Sequence, residues 1–289
     1  MRRRSPIRNY LEYWAARFAL ATIARGPLGL ARFYARLLDM AMPRLRRAAL
    51  RNLELTGYPA SYADRAFDSL ARLLHTLARF PRIDRSNVDE WIRYDGRKHF
   101  DEALKKGRGV LFATAHLGNW ELSAFAHALM AEPMSFVVRP FDNPLLDDLV
   151  TRYRTLSGNR VCGKTDFVRS ILRALGRNEA VGILVDHNTG LDEGVFVDFF
   201  GHKACVDPTF AKLAWKTGAP VIPGFAVWSE EERRYILKFY PPLELTGDVI
   251  SDTQRVQSAV EQAIREHPDQ WLWVHRRWKT RPPGELPLY

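Results

Sequence analysis

The chain has 289 residues, 46% of them hydrophobic, and its 43 Lys and Arg against 33 Asp and Glu give a formal net charge of +10. That length admits one large α/β domain with a substantial core or two small ones, and the sequence shows neither an internal repeat nor a low-complexity linker. Its two cysteines, Cys162 and Cys205, exclude a disulfide framework and a cysteine-based metal centre, and they make the reducing cytosolic side the natural compartment.

The charge is concentrated at the start. Residues 1–60 hold twelve arginines, no lysine and three acids (Glu12, Asp39 and Glu54), a local net of +9 that leaves +1 for the remaining 229 residues. Between Tyr10 and Met42 the apolar Leu11, Trp14, Phe18 and Ile23 are interrupted by Arg17, Arg25, Arg32 and Arg36, whereas crossing a bilayer needs about 20 uncharged residues. The pattern predicts a basic amphipathic helical segment over 1–60 that lies in an anionic membrane interface, each arginine there contributing roughly 1 kcal/mol. A basic helix that merely packs on the domain is the alternative. No clean apolar h-region or cleavage site follows Met1-Arg-Arg-Arg-Ser-Pro, so no export is expected.

Residues 61–280 alternate two periodicities. Helical spacing predicts helices over 61–79, 120–130, 144–156, 166–175, 208–216 and 253–266, and apolar runs predict strands over 109–115, 134–139, 180–186, 220–228, 235–240 and 271–275. Ser251 and Gln254 are placed as a capping box for the last helix. This order argues a single α/β domain with a mixed, mostly parallel sheet flanked by helices. The Pro/Gly-rich tail over 281–289 reads as disordered.

The first strand ends in Ala113-Thr-Ala-His116-Leu-Gly-Asn119-Trp-Glu121. His116 falls at the strand's C-terminal mouth, where α/β proteins place ligands. Leu117-Gly118 supplies a turn, Asn119 is a natural N-cap, and Glu121 lies in the first helical turn, where an anion is favoured. This is the layout of a general base and its orienter; it is also how a strand end and a capped helix look without any chemistry. Arg139 ends the second strand, where a guanidinium can bind phosphate bidentately or pair with Asp142 or Asp147. Asp186, His187 and Asn188 end the third, to orient an acceptor, brace the His116 pair or form an Asx-turn.

Gly158-Asn-Arg-Val-Cys-Gly163-Lys164-Thr165 satisfies the Walker A pattern. A phosphate loop follows directly on a strand and opens a helix. Here the preceding residues have helical spacing and Val161-Cys162 resembles a short strand, so a P-loop NTPase is kept only as an alternative, to be revived by loss of ATP binding in Lys164→Ala. Trp271, Trp273 and Trp278 interleave with His275, Arg276, Arg277, Lys279 and Arg281, suiting either a bilayer interface or, for the first two, the core. A nucleic-acid role is not expected, because the arginines accompany no recognisable reading fold; a basic lipid-binding module is the remaining non-enzymatic reading.

Seven blocks in order carry a resemblance over nearly the whole chain: Asn9-Tyr-Leu-Glu-Tyr, His116-Leu-Gly-Asn-Trp-Glu121, Arg139-Pro-Phe-Asp-Asn-Pro144, Asp186-His-Asn-Thr-Gly190, Glu193-Gly-Val-Phe-Val-Asp-Phe-Phe-Gly201, Thr217-Gly-Ala-Pro-Val-Ile-Pro223 and Trp271-Leu-Trp-Val-His-Arg-Arg-Trp278. Together they resemble the late acyltransferases of lipid A biosynthesis, the lauroyl and myristoyl transferases. The chain departs from them at His187, where Gln is frequent, and at Val206-Asp207-Pro208, where a Thr-rich turn is usual. The resemblance implies a glycerol-phosphate-acyltransferase-like fold at the cytoplasmic face of the bacterial inner membrane. It implies acyl transfer from acyl carrier protein, the co-substrate and partner, to a hydroxyl of a membrane lipid acceptor, with no further cofactor and no metal. Another glycolipid or a lysophospholipid is the alternative acceptor. His116 and Glu121 become the catalytic dyad, with Glu121 fixing the imidazole tautomer, and Arg139, Asn119, Asp186, Asn188, Glu193 and Gly194 become substrate-binding residues. Backbone amides near Leu117 or Gly118 are the expected oxyanion donors.

Overall fold

The computed structural model describes residues 5–163 and 167–289. Four helices come first, α1 (Pro6–Arg25), α2 (Leu28–Ala41), α3 (Pro43–Thr56) and α4 (Tyr62–Leu77). They lead into β1 (Ile92–Asp95), α5 (Arg97–Leu104), β2 (Val110–Thr114), α6 (Trp120–Met130), β3 (Ser135–Val137), α7 (Pro144–Thr155), β4 (Arg160–Cys162), α8 (Phe167–Gly176) and β5 (Ala180–Leu184). The strands β6 (Val195–Phe199) and β7 (His202–Val206), helix α9 (Thr209–Thr217), strands β8 (Val221–Ser229) and β9 (Arg234–Phe239), and helix α10 (Val249–Glu266) follow.

Seven strands form one sheet in the order β1-β9-β8-β2-β5-β3-β4, and its pairings are parallel except β8 with β9. The mixed, mostly parallel sheet flanked by helices is therefore as the periodicities predict. Val110, Leu111, Phe112 and Ala113 of β2 are all buried, as a strand covered on both faces requires. Leu111, Ala113 and Ala115 pack in one cluster with Val256, Val260 and Ile264 of α10. Phe112 points the other way, into a cluster with Phe100 of α5 and Phe125 of α6.

Several boundaries differ from expectation, each for a local reason. The last helix starts at Val249, where Asp248 caps the Ser251 N–H at 2.8 Å. Gln254 is no capping partner: it bonds the backbone N–H and carbonyl of Asp198 in β6. A cap is worth about 1 kcal/mol and burial of each large apolar side chain about 1.5–3 kcal/mol, so packing against the sheet, rather than the cap, holds this helix. The expected strand over 271–275 is a turn segment joined to the His116 loop by an isolated antiparallel bridge between Leu117 and Trp271. Strands β1, β6 and β7 are additions; the β6–β7 hairpin turns at Phe200 and Gly201, both at positive φ (53° and 75°), the requirement of a two-residue type I′ turn. The tail is packed rather than loose, with the Tyr289 hydroxyl donating to Asn52 Oδ1 in α3. Lys164 and Thr165 of the Walker-like stretch lie outside the described residues, and β4 occupies its middle.

The basic N-terminal segment is three helices, broken at Gly26-Pro27 and Met42-Pro43. Arg32 and Arg46 turn inward to Asp68, Asp39 and Asp64. Outward, Ile7, Leu11, Trp14 and Phe18 of α1 follow i, i+4, i+7, i+11 spacing, as do the first three steps at Phe33, Leu37 and Met40 of α2, and these side chains are between 44% and 77% exposed. Among the described residues no helix is long and apolar enough to cross a membrane.

Candidate active site

The loop after β2 is built by its own residues. Gly118 sits at φ 64°, and a Cβ there would lie 2.0 Å from the Ala226 carbonyl oxygen, so only glycine lets the turn rest on β8. Asn119 accepts the Leu122 N–H at 3.0 Å and starts α6. His116 is thereby held at the mouth of the sheet with a side chain 15% exposed.

Its partner comes from the neighbouring strand. Thr114 of β2 is in register with Leu184 of β5, and two residues beyond each, His116 meets Asp186. The Asp186 carboxylate accepts the His116 backbone N–H at 3.0 Å and faces Nδ1 at 2.9 Å. Trp271 Nε1 donates to the same carboxylate at 2.9 Å. Asp186 is wholly buried, which by itself would raise its pKa, but the facing His116 imidazole and its hydrogen bond hold it well below the usual carboxylate range. An ionised carboxylate only accepts, so Nδ1 is the donor in this pair. The rings of His187 and Trp120 stand edge-on to His116, with centroids 4.7 and 4.9 Å away. His116, Asp186 and His187 offer ligand atoms within 4.8 Å of one another. Asp186 is at the same time committed to three N–H groups, those of the His116 backbone, the His116 ring and the Trp271 indole.

Glu121 does not hold the imidazole. Its carboxylate is gripped bidentately by Arg154 of α7, at 2.5 and 2.9 Å, with both side chains about nine-tenths buried (12% and 10% exposed). The expected His116–Glu121 contact is replaced by two pairs, His116 with Asp186 and Glu121 with Arg154. The reason is that α6 runs back along the sheet and carries Glu121 over a cleft beneath it. That cleft has an empty volume of about 620 Å³ including its open mouth and is lined chiefly by apolar groups, among them Phe112, Thr114, Met134, Phe136, Gly182 and Phe239. Trp120, Glu121 and Arg154 line it as well.

The remaining predicted residues fare differently. Asn119 is wholly buried as the helix cap and does not line the cleft. Asn188 ties the C-terminal segment in place through the Thr280 N–H and hydroxyl, at 2.9 and 3.0 Å. Arg139 is exposed at the end of β3 and forms no ion pair with Asp147, whose carboxylate instead accepts the Phe141 N–H. It lies close enough to His187 to add to a lowering of that imidazole's pKa caused first by burial. Glu193 is exposed in the turn before β6. Gly194 allows close packing, because a Cβ there would lie 2.3 Å from Cys205 Sγ. The Gly118 N–H is already given to the Gln270 carbonyl at 3.0 Å and is not an oxyanion donor in this arrangement.

Three contributors escape sequence reading. Arg154 carries no local signal beyond its place in a helix. His275 is half-buried behind Asp186, its ring nitrogens facing the Leu272 and Asp186 carbonyls at 2.9 and 3.2 Å, and desolvation pushes its pKa down to about 4. Arg277, wholly buried, bonds Gln257 Oε1 at 2.9 Å and the carbonyls of His187 and Cys205 at 3.3 Å. Burial pushes its pKa down to about 10. The alternation of aromatic and basic residues over 271–278 is the only sequence sign of either.

The model of one protein family, described as bacterial lipid A biosynthesis acyltransferase, matches residues 2–280. The chain is similar to the lipid A biosynthesis lauroyltransferase of Escherichia coli (strain K12), with 30% identity over 253 residues that cover 84% of this chain and 82% of the relative. The palmitoleoyltransferase of the same organism is 30% identical over 262 residues, covering 86% and 85%. Its myristoyltransferase is 25% identical over 301 residues, covering 96% and 91%.

Proposed function

The chain belongs to the bacterial lipid A biosynthesis acyltransferase family and is an acyltransferase, and from that premise we propose that it moves a fatty acyl chain from an acyl carrier protein thioester to a hydroxyl of a lipid A precursor. His116 is the general base. Its Nε2 takes the hydroxyl proton as the oxygen attacks the thioester carbonyl; the C–S bond then breaks and the imidazolium returns the proton to the departing thiolate. Ester and free thiol form without an acyl-enzyme. A thiol with a reference pKa near 8.5 needs little more help to leave. Asp186, ionised and facing Nδ1, keeps the tautomer and stabilises the imidazolium. Arg154, fixed by Glu121 among the cleft-lining residues, stabilises the charge that develops on the carbonyl oxygen, a contribution of about 3 kcal/mol.

The acyl chain occupies the cleft under α6, and Arg139 at the rim meets a phosphate of the acceptor. The outward apolar stripes of α1 and α2, with the exposed Arg17 and Arg36, seat the protein on the anionic cytoplasmic face of the inner membrane. One observation carries the reading, namely an imidazole held through Nδ1 by a buried carboxylate, with its ring edge-on to Trp120, which lines the apolar cleft.

The test is acyl transfer from a carrier-protein thioester to a lipid A precursor, with a lysophospholipid as competing acceptor. His116→Ala abolishes transfer while the melting temperature holds, and Asp186→Asn lowers kcat by roughly two to four orders of magnitude with KM little changed. Turnover retained in His116→Ala, or preference for the lysophospholipid, sinks the base or the acceptor respectively.

A further inference from the structure

One of the two rings that stand edge-on to His116 is itself an imidazole. His187 follows Asp186 where β5 runs out, so the register that brings the carboxylate to Nδ1 also sets a second histidine beside the first. The two imidazoles have centroids 4.7 Å apart and planes crossed at 68°. Among the described residues, His116, Asp186 and His187 form a set of ligating side chains whose donor atoms lie within 4.8 Å of one another. A third imidazole, that of His275, is 6.1 and 6.4 Å from these rings. Its nitrogens are turned to the carbonyls of Leu272 and Asp186, so it stands outside the set.

The spacing of the pair suits one small ion. With a zinc–nitrogen bond of about 2.0–2.1 Å and about 1.1 Å more to each ring centre, two imidazoles on a tetrahedral ion have centroids about 5 Å apart. The rings of His116 and His187 are already near that separation, so they need to turn rather than travel. Behind His116, the buried Asp186 carboxylate holds Nδ1, the arrangement that orients a metal-bound imidazole and strengthens it as a ligand. The same carboxylate offsets part of the ion's charge against Arg139 and Arg277, whose charges reach His187. His187 is exposed, which gives an ion in solution a way in. Imidazole nitrogens select ions of the zinc class, whereas Mg²⁺ and Ca²⁺ require oxygen ligands.

We propose that His116 and His187, with Asp186 behind them, form an inhibitory site for a transition-metal ion of the zinc class, which bridges the two imidazoles and switches the enzyme off reversibly. Water completes the tetrahedron. The inference rests on the reading of His116 as the general base. In that reading Nε2 takes the hydroxyl proton, and a metal ion on that nitrogen leaves it no lone pair with which to do so. Transfer stops while the ion is bound and resumes when a chelator removes it.

Two measurements on the full-length chain test it. In the first, Co²⁺ is titrated into the protein without substrate and followed by its visible absorption. One ion binds per chain with the intense bands of tetrahedral coordination, Zn²⁺ displaces it and Mg²⁺ does not. Asp186→Asn weakens binding about ten- to a hundredfold, and His187→Gln, which removes a ligand, weakens it at least tenfold. In the second, micromolar Zn²⁺ stops acyl transfer and EDTA restores it. The Zn²⁺ concentration for half-inhibition of His187→Gln, referred to that variant's own metal-free rate, rises at least about tenfold. Unchanged Zn²⁺ sensitivity in His187→Gln overturns the inference, because the inhibition then comes from another group such as a cysteine thiol. Co²⁺ binding that survives in both His187→Gln and His116→Ala overturns it too, as does binding that leaves turnover untouched. Absence of transfer by the metal-free protein overturns the acyl-transfer reading instead, while the substrate-free titration still decides whether the site exists. If Asp186→Asn does not fold, the variant at the exposed His187 decides.

Discussion

At the scale of single residues, the division of labour between Asp186 and Glu121 has the sharpest consequence. On the proposed mechanism Glu121 acts through Arg154, whose guanidinium takes both of its oxygens. Removing one member of a nearly buried ion pair costs about 3–5 kcal/mol, since the other is left uncompensated. Because the proposed charge stabilisation by Arg154 is worth about 3 kcal/mol, Glu121→Ala and Arg154→Ala each lower kcat/KM about a hundredfold, and the double variant is no worse than the poorer single one. Initial rates around this double-mutant cycle check it. Strict additivity of the two changes, with coupling of Glu121 to His116 in its place, would return the orienting role to Glu121. The residues that build the loop were legible in advance for a local reason: Gly118 must supply the positive φ and Asn119 the cap, and both needs are written within six positions of His116.

At the scale of elements, α1 and α2 present apolar stripes at helical spacing to solvent. Burial of a large apolar side chain in a membrane interface contributes on the order of 1.5–3 kcal/mol, more than the roughly 1 kcal/mol of a single arginine near an anionic leaflet. Trp14→Asp with Phe18→Asp consequently weakens flotation with anionic vesicles at least tenfold and leaves acyl transfer to a detergent-dispersed acceptor nearly intact. Removal of residues 1–42 has the same effect or a larger one. Flotation unchanged in both would show that the stripes meet something other than lipid. Gly26-Pro27 is a helix-breaking pair and the segment bends there, whereas no local signal shows that Arg32 and Arg46 serve Asp68, Asp39 and Asp64, because the acids that claim them lie on other helices or across a turn. Helix periods were read more securely than the short strands β1, β6 and β7, whose pairing partners decide whether four or five residues are extended at all.

At the scale of the molecule, buried histidines set the response to acid. Burial pushes the pKa of His127 down to about 3 and that of the half-buried His275 to about 4. Below the unfolded value near 6.5 the unfolded chain binds protons that these native sites refuse, so stability falls as pH drops from about 6.5 toward 4. Each fully buried site contributes about 1.4 kcal/mol per pH unit in that window. Asp186 works the other way: its depressed pKa stabilises the fold above about 4, and that contribution is lost only at lower pH. Urea midpoints at pH 7 and pH 5 will show the loss, and His127→Phe will show a shallower one by about one proton; equal slopes would mean that His127 is protonated in the native state. The sequence by itself determined the alternation of strands and helices, the turn and cap that hold His116 at a strand mouth, and the placement of Asp186 at the end of another strand, because each depends on periodicity or on neighbours along the chain. Only the tertiary structure decided that Asp186, 70 positions away, orients the imidazole, that Arg154, 33 positions from Glu121, claims its carboxylate, and where the cleft stops. Those contacts follow from the register of β2 against β5 and from how α6 and α7 pack on the sheet, and many distant side chains compete for each carboxylate until that packing brings one of them within reach.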